Sequence, residues 1–323
     1  MTAVRGPLQG PPKRSSRLPD RLFRGASALA AVFVVVLLVS VGVLLALSSQ
    51  ETWQHFGLAF LTGSDWDPVQ GVYGALPFIG GTLLTAAIGM IIATPIGLLT
   101  AIFLAELAPP WLATPLGFLV ELLAAIPSVV IGLWGVFILS PVLRATVEDW
   151  LAGTIGTVIP LFAGPSYGVG IFAAGVILAI MVLPTIVSIS REVINAVPNA
   201  QREGMLALGA TRWETTTRAV LPFARSGIIG AVILGLGRAL GETMAVTMVV
   251  GNNPQIPSSL FGQGQTIASE IATTFSEASI GLQTSSLIAL GLTLLAMTIL
   301  LNIVARLLVR RVAGDGVGMA AGG

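Results

Sequence analysis

The chain contains no cysteine, a single histidine (His55) and a single lysine (Lys13) among its 323 residues. Without cysteine there is no disulfide framework and no thiolate for metal or redox chemistry. One histidine outside the apolar segments cannot form a His-Glu-x-x-His zinc site. The lysine precedes an arginine rather than the serine or threonine of a phosphate-binding P-loop. We therefore predict no catalytic residue, no metal site and no cofactor, and we exclude ATP hydrolysis by the usual P-loop on this chain.

Charged residues are also scarce. They make up 10% of the chain, whereas a soluble domain carries about 25%. Hydrophobic residues account for 54%, and the mean hydropathy is +0.92. These values predict an all-α membrane protein rather than a soluble or nucleic-acid-binding one. Six apolar runs each reach the ~20 residues needed to cross a bilayer: 25–47, 79–105, 115–140, 168–190, 226–250 and 284–308.

The few basic residues are unevenly distributed. Six of the sixteen precede the first apolar run and five lie in the loop 191–225, while loops 48–78 and 251–283 contain none. Basic residues accumulate in cytoplasmic loops. The pattern therefore predicts that both tails (1–24 and 312–323) and the loop between the fourth and fifth runs face the cytoplasm.

The first apolar run follows a basic tail, as the core of a signal peptide does. Signal-peptide cores have about 7–15 residues, however, whereas the run 25–47 is long enough to cross the membrane. We predict that it is an uncleaved anchor helix.

The fifth apolar run contains an arginine and a glutamate. Arg238 is twelve residues beyond Ser226, which at ~1.5 Å per residue places it ~18 Å into a ~30 Å hydrocarbon core. A charge at that depth costs at least ~2.5 kcal/mol and usually serves an ion, a proton or a polar substrate. Glu242 would share a face with Arg238 on a continuous helix. We predict that Arg238, Glu242 and Thr243 line a substrate path; the alternative is a permanent salt bridge that only stabilises the helix.

Small residues and a proline indicate where these helices pack or bend. Gly237 and Gly241 have a spacing that lets another helix approach closely, so we expect the fifth run to face a partner helix. Pro127 in the third run is expected to kink its helix and free a carbonyl. Ser128 beside it either lines the same path or hydrogen-bonds to its own helix backbone.

The basic loop between the fourth and fifth runs has a helix-turn-helix pattern. Asn199 is a suitable helix cap, and Gly209 fits the C-terminal stop of that helix. A second helix is predicted over 212–220, after which Leu221 and Pro222 are expected to turn the chain back to the membrane. Such a loop is either a docking element for a cytoplasmic partner or a solvated linker.

This loop resembles the "EAA" loop of ABC-importer permeases. The residues that keep the spacing of that motif are Glu203, Gly209, Leu221 and Pro222. The chain departs from it at Gly204, Met205 and Ala219. The resemblance implies a type I permease core over 79–311, with a cytoplasmic coupling helix that docks on an ATP-binding subunit. The residues expected at that contact are Glu203, Leu206, Ala207, Gly209, Leu221 and Pro222.

Further segments resemble the permeases of phosphate-specific ABC importers, namely 125–130, 238–246 and 266–269. The resemblance implies inorganic phosphate as substrate, a multi-pass location in the inner (plasma) membrane, and three kinds of partner. These are a second permease subunit of the PstA type, two ATP-binding subunits and an extracytoplasmic phosphate-binding protein.

Other functions stay open on the residues alone. One Arg–Glu pair does not separate phosphate from sulfate or another small solute. A channel or sensor subunit would not need a docking loop, and a membrane enzyme would need reactive groups that the apolar runs lack.

The last outer loop has apolar residues at helical spacing, Ile267, Ile271 and Phe275. A short helix lying at the outer surface over 265–275 is predicted, with a plain connecting loop as the alternative. Since the segment contains no basic residue, it is expected to face outwards and to meet the binding protein.

Overall fold

A computed structural model describes the backbone of residues 17–317 and the side chains of residues 21–307. This part of the chain is almost entirely helical. Its α-helices are α1 (Arg17–Ser48), α2 (Gln50–Phe56), α3 (Ala59–Thr62), α4 (Leu76–Ile102), α5 (Pro110–Ala125), α6 (Ser128–Trp134), α7 (Ser140–Leu143), α8 (Asp149–Gly153), α9 (Ile171–Asn195), α10 (Asn199–Ala207), α11 (Arg212–Thr215), α12 (Leu221–Gly241), α13 (Met244–Val249), α14 (Ile267–Thr274) and α15 (Leu282–Val317).

Shorter elements extend or join these helices. The π-helical turns are Phe103–Leu107, Gly135–Leu139, Arg144–Glu148 and Thr216–Val220, and the 3₁₀ turns are Ile155–Thr157 and Pro160–Phe162. The sheet found in the described part is an antiparallel hairpin that pairs β1 (Trp66–Asp67) with β2 (Val72–Tyr73).

Within residues 17–317, six helices are long and apolar enough to cross a membrane, which confirms the predicted all-α membrane fold. They are Arg21–Ser48, Leu76–Leu107, Ser128–Gly153, Ile171–Asn195, Arg212–Gly241 and Leu282–Leu307. The first is exposed along most of its length, as an anchor surrounded by lipid would be. The predicted tails fall partly outside the described residues, at 1–16 and 318–323, while α1 and α15 continue into the remainder of each tail.

The third apolar run, predicted as one span over 115–140, is broken into two helices. Helix α5 ends at Ala125, and the backbone is extended at Ile126 (ψ 128°) and Pro127 (ψ 138°) before α6 begins. Proline disfavours the helical conformation of the residue before it, and its ring clashes with the preceding turn. Pro127 therefore ends a helix rather than kinking one, and the long helix after it runs on to Gly153.

The fifth apolar run, predicted as one span over 226–250, is broken as well. Helix α12 ends at Gly241, Glu242 is extended (ψ 127°), and the short α13 follows. At the other end of α12, Leu221 and Pro222 do not turn the chain, since the helix is continuous from Arg212. Pro222 has no N–H to donate to the preceding turn of the helix. That turn, Thr216–Val220, is a wider π-helical turn and accommodates the proline.

The core of the bundle forms where α4, α9 and α12 pack together, and α9 is the most buried of the membrane helices. Added β-carbons would come 2.5 Å from Cγ2 of Ile88 at Gly175 and 2.9 Å from Cγ2 of Ile186 at Gly97. Glycine at these positions lets α4 and α9 approach closely. In lipid, where apolar burial adds little, such close packing is the main source of helix association.

A second apolar cluster closes the end of the bundle that carries the hairpin. Phe60, Tyr73, Phe78, Ile267 and Leu290 are buried there. The ring of Trp66 packs edge-on against those of Tyr73 and Phe78, with centroids 4.9 Å apart in both cases. We call this region, formed by residues 49–75 and 251–281, the hairpin end.

The predicted short helix over 265–275 exists as α14, but its first turn is buried rather than lying on the surface. Thr266 and Ser269 form a capping box, and the N–H of Ile267 donates to Oγ1 of Thr82 on α4 at 3.0 Å. Helix α14 is thus inserted between α4 and α15, and only its second half, with Phe275 beyond it, is accessible.

Candidate functional site

Arg238 lies in the last turn of α12 and is exposed in this chain. Its Nη1 donates to Oγ1 of Thr185, near the middle of α9, at the long distance of 3.4 Å. Among the described residues no carboxylate pairs with it. The guanidinium is therefore a cation held beside the most buried helix of the bundle, with most of its donors unused.

The prediction that Arg238 and Glu242 share one helix face is wrong in this conformation. Because α12 ends at Gly241, Glu242 does not continue the helix face that carries Arg238. Instead, Oε1 of Glu242 accepts the N–H of Ala245 at 3.5 Å, in the first turn of α13. A carboxylate is favoured at a helix N-terminus by the helix dipole. Glu242 thus belongs to α13, and Arg238 is free to meet another anion.

The two helix breaks lie next to each other. An added β-carbon on Gly132 of α6 would come 3.0 Å from Cα of Ala245 and 2.6 Å from Sδ of Met248, both on α13. One on Gly135, just after α6, would come 3.2 Å from Cγ1 of Val249, the last residue of α13. Because the contacts advance together along both segments, α6 and α13 run side by side in the same direction from their breaks. This places Ser128 and Thr243, the first residue of α6 and the residue just before α13, at the same end of the helix pair.

Ser128 and Thr243 are both partly buried. The Thr243 hydroxyl donates to the carbonyl of Gly241 at 3.2 Å, across the break. The Ser128 hydroxyl makes no hydrogen bond with any residue that the structure describes, so it is not bonded to its own helix. The structure brings three of the four predicted path residues, Ser128, Glu242 and Thr243, to the paired breaks, with Arg238 one turn before the end of α12.

No described helix of this chain packs closely on Gly237 or Gly241. An added β-carbon at either position would meet no other atom within 4 Å. The close contacts of α12 are made at Gly235, against Val182 and Ile186 of α9. Among the residues that the structure describes, no helix makes the predicted close contact there, and the face of α12 that carries Gly237 and Gly241 is open.

The helix-turn-helix of the basic loop is present, with α10 and α11 as its helices. Asn199 is not the cap of α10 but its first residue, after Pro198, and its Oδ1 accepts from Nη1 of Arg202 at 3.4 Å. Gly209 is confirmed as the stop of the helix: its φ is +83°, and the next N–H, that of Ala210, donates to the carbonyl of Met205 at 3.1 Å.

The surface of this loop is largely exposed. The predicted contact residues Glu203, Leu206, Ala207, Gly209 and Pro222 are accessible, and Leu221 is partly buried. Two apolar residues that the motif did not indicate are more exposed still, Leu208 at 85% and Trp213 at 66%. We call Leu206, Leu208 and Trp213 the docking patch, because exposed apolar side chains on this polar loop are typical of a site of protein contact.

An ion pair that no local pattern indicates ties this loop to the membrane helices. Nη2 of Arg202 lies 2.7 Å from Oε1 of Glu106, in the π-helical turn that ends α4, and Nε donates to the same oxygen at 3.1 Å. The guanidinium also donates to the carbonyls of Ile194 (2.8 Å) and Val197 (2.5 Å), at the end of α9. Arg202 thus joins α10 to α4 and α9, and the pair is mostly shielded from solvent.

Comparison with known proteins agrees with this architecture. Residues 93–314 match the family model described as "binding-protein-dependent transport system inner membrane component". The chain is 46% identical to the phosphate transport system permease protein PstC of Mesorhizobium japonicum, over 97% of this chain and 98% of that protein. It is 45% identical to the protein of the same name from Haemophilus influenzae, over 90% and 93% of the two chains.

Among solved structures, the fold resembles that of a bacterial alginate ABC transporter in complex with its periplasmic protein. The TM-score is 0.60 at 16% identity, covering 92% of this chain and 96% of that chain. The chain thus belongs to the family of binding-protein-dependent transport system inner membrane components.

Proposed function

We propose that this chain is a permease subunit of an ATP-driven importer that moves inorganic phosphate across the inner membrane. The observation that carries the proposal is Arg238, an exposed guanidinium beside the most buried membrane helix and without a carboxylate partner among the described residues. Relatives over most of the chain are named as phosphate permeases, which supports the choice of substrate.

The arrangement around Arg238 suits transient anion binding. A guanidinium presents a planar fork of donors that matches phosphate oxygens, in place of the water that the ion loses. Glu242 is held by α13 and does not occupy that fork. The hydroxyls of Ser128 and Thr243 at the paired breaks add polar groups to the path. The chain itself carries out no covalent chemistry.

The partners follow from the two ends of the molecule. The docking patch is suited to a groove of an ATP-binding subunit, of which the importer would have two. The open face of α12 is suited to a second permease subunit, which we expect to be of the PstA type. The hairpin end would receive phosphate from an extracytoplasmic binding protein, with both termini in the cytoplasm.

In this scheme, ATP binding closes the two ATP-binding subunits and moves α10. Arg202 passes that movement to the ends of α4 and α9, and the path opens toward the binding protein. Phosphate passes to Arg238, and hydrolysis returns the path to the cytoplasmic side. The helix breaks in the third and fifth apolar runs are the places where the helices can bend without losing further hydrogen bonds.

The experiment is phosphate uptake by the complete importer reconstituted in liposomes, with Arg238→Gln and Arg238→Lys. We expect Arg238→Gln to lower uptake about tenfold or more, because it removes a charge-assisted hydrogen bond to the anion. Arg238→Lys keeps the charge without the fork, so intermediate uptake is expected. Arg24→Gln, which removes an exposed arginine of α1, is the matched control and should transport normally. Native uptake by Arg238→Gln in an assembled complex would overturn the path.

A guanidinium fork matches the geometry of sulfate as well as that of phosphate. The same assay can distinguish the two oxyanions. Uptake and ATP turnover are measured with labelled sulfate in place of phosphate, each with its own binding protein. Sulfate uptake without phosphate uptake would reassign the substrate and leave the permease function in place.

A further inference from the structure

A groove runs between α12 and α15 on the side of the bundle where Arg238 is exposed. Its residues come from both helices and are mostly apolar apart from two arginines and one asparagine. They are Ile233, Leu234, Gly237, Arg238, Ile299, Asn302, Ile303 and Arg306. Its volume of about 610 Å³ is enough for a phosphate group with part of its hydration shell.

The charges of this groove are unbalanced. It is lined by two guanidiniums and by no carboxylate. Arg306 makes no hydrogen bond or ion pair with any residue that the structure describes, and Arg238 has only its long contact with Thr185. Two cations that share an apolar groove repel each other, so the groove is electrostatically complementary to an anion.

Asn302 adds a neutral donor to the same groove. Its Nδ2 donates to the carbonyl of Thr298 at 2.8 Å, which leaves its second N–H and its Oδ1 unused. Arg306 is one helical turn further along α15, ~6 Å at ~1.5 Å per residue. In the proposed topology α15 runs toward the cytoplasm, so Arg306 lies at the cytoplasmic end of the groove and Arg238 is deeper in the membrane.

We propose that Arg306 and Asn302 form a second anion station, on the cytoplasmic side of Arg238, that binds a phosphate group. This inference rests on the proposed function. An anion that leaves a single arginine within the helix bundle would pass directly into apolar surroundings. A second cation in the same groove lowers that barrier, since conduction requires several sites, each weak enough to release the ion. The occupant is phosphate in transit, although a lipid headgroup offers the same phosphate chemistry.

The test uses the complete importer reconstituted in two kinds of liposome, one of zwitterionic lipid alone and one with added anionic lipid. Initial rates of phosphate uptake and of ATP hydrolysis are measured for Arg306→Gln, Arg306→Lys and the control Arg24→Gln. We expect Arg306→Gln to lower uptake about tenfold in both lipids while ATP hydrolysis continues. Arg306→Lys should retain more uptake than Arg306→Gln, and Arg24→Gln should match the native chain.

The two kinds of liposome distinguish a phosphate site from a lipid site. Equal uptake by Arg306→Gln and Arg24→Gln in both lipids would overturn the second station. A loss confined to liposomes with anionic lipid would assign the groove to a lipid headgroup instead. Arg238→Gln, run in parallel, separates this inference from the function on which it rests. If Arg238→Gln abolishes uptake and Arg306→Gln does not, the path stands and the second station falls; if neither matters, the proposed path itself is wrong.

Discussion

At the scale of single residues, the turn between α10 and α11 depends on the backbone of Gly209. Its φ of +83° lies in the left-handed region, where a side chain costs about 1–2 kcal/mol. Gly209→Ala should therefore loosen the turn, and Gly209→Val more so, which would misplace the docking patch. We expect phosphate uptake per ATP hydrolysed to fall in that order while the chain still inserts in the membrane.

Gly204 provides the matched control for this prediction. It lies inside α10, where an added β-carbon meets nothing within 4 Å, and alanine in a helix is favoured over glycine by about 1 kcal/mol. Gly204→Ala should leave coupling intact. If Gly209→Val also couples normally and co-purifies with the ATP-binding subunit, the turn has no part in docking.

A buried carboxyl at the hairpin end predicts a pH dependence of stability. Burial raises the pKa of Glu270 on α14 above its ordinary value of 4.5, although hydrogen bonds from Thr274 and Trp66 act in the opposite direction. The unfolded chain then releases this proton at lower pH than the folded chain does. Its contribution to folding stability is complete below about pH 4.5 and is lost as the pH rises through the raised pKa. The Tm of the purified protein should fall over that interval.

Glu270→Gln removes the titrating group and keeps a similar shape. It should flatten this part of the pH profile and raise the Tm at neutral pH relative to the native chain. Glu277→Gln changes an exposed carboxyl of the same region and should leave the profile as it is. Parallel profiles for the native chain and Glu270→Gln would show that this carboxyl does not govern the dependence.

At the scale of secondary-structure elements, the pair of Arg202 and Glu106 links the docking helix to the membrane helices. Removing one partner leaves the other poorly solvated, since the two side chains are only 19% and 10% exposed. A hydrogen bond to a charged group contributes about 1.5–3 kcal/mol. We expect Arg202→Gln and Glu106→Gln to lower phosphate uptake more than ATP hydrolysis, because α10 would move without moving α4.

The chain contains its own control for this ion pair. Arg218, whose side chain is 72% exposed, lies 4.0 Å from Glu214, whose side chain is 38% exposed. Such pairs near the surface contribute about 0–1 kcal/mol. Arg218→Gln should therefore have little effect on the ratio of uptake to hydrolysis. The exchange of Arg202→Glu with Glu106→Arg should not restore coupling, because Arg202 also donates to the carbonyls of Ile194 and Val197. An unchanged ratio in Arg202→Gln would rule out the link.

Hydropathy predicts the number of membrane helices, because each contains a long apolar run, and it places four of the six to within a few residues. The third and fifth lie elsewhere, at 128–153 instead of 115–140 and at 212–241 instead of 226–250. Hydropathy does not predict the two breaks. Pro127 is visible in the sequence, but membrane helices often accommodate a proline as a kink. The end of α12 at Gly241 has a weaker signal, since glycine is common in membrane helices. The interpretation of Arg238 and Glu242 as one helix face therefore fails, although both residues are correctly placed in the fifth run.

Long-range contacts are the other part that the residues alone could not provide. The pair of Arg202 and Glu106 joins positions 96 residues apart, and Arg306 meets Arg238 in one groove only through the packing of α15 on α12. By contrast, the helix stop at Gly209 is a local effect of backbone conformation and is predicted correctly. The stop at Gly209 follows from local backbone conformation, whereas the path depends on packing.

At the scale of the whole molecule, the proposed function requires the docking patch and the hairpin end to lie on opposite sides of the membrane. The distribution of basic residues predicts that the docking patch faces the cytoplasm. Because the native chain has no cysteine, single cysteines report on this without background. Suitable positions are Leu208, 85% exposed, in the docking patch, and Ile280, fully exposed, and Phe275, 50% exposed, at the hairpin end.

A membrane-impermeant maleimide added to intact cells or spheroplasts should label Ile280→Cys at once and Leu208→Cys only after permeabilisation. In the assembled importer, cross-linking from Phe275→Cys should capture the binding protein, since Phe275 lies just beyond the accessible half of α14. Cross-linking from Leu208→Cys should capture the ATP-binding subunit. Labelling of Leu208→Cys in sealed cells would reverse the topology, because an apolar docking patch facing outwards cannot reach a cytoplasmic ATPase. Correct labelling without capture of the binding protein from Phe275→Cys would keep the topology and move the binding-protein contact to another part of the hairpin end.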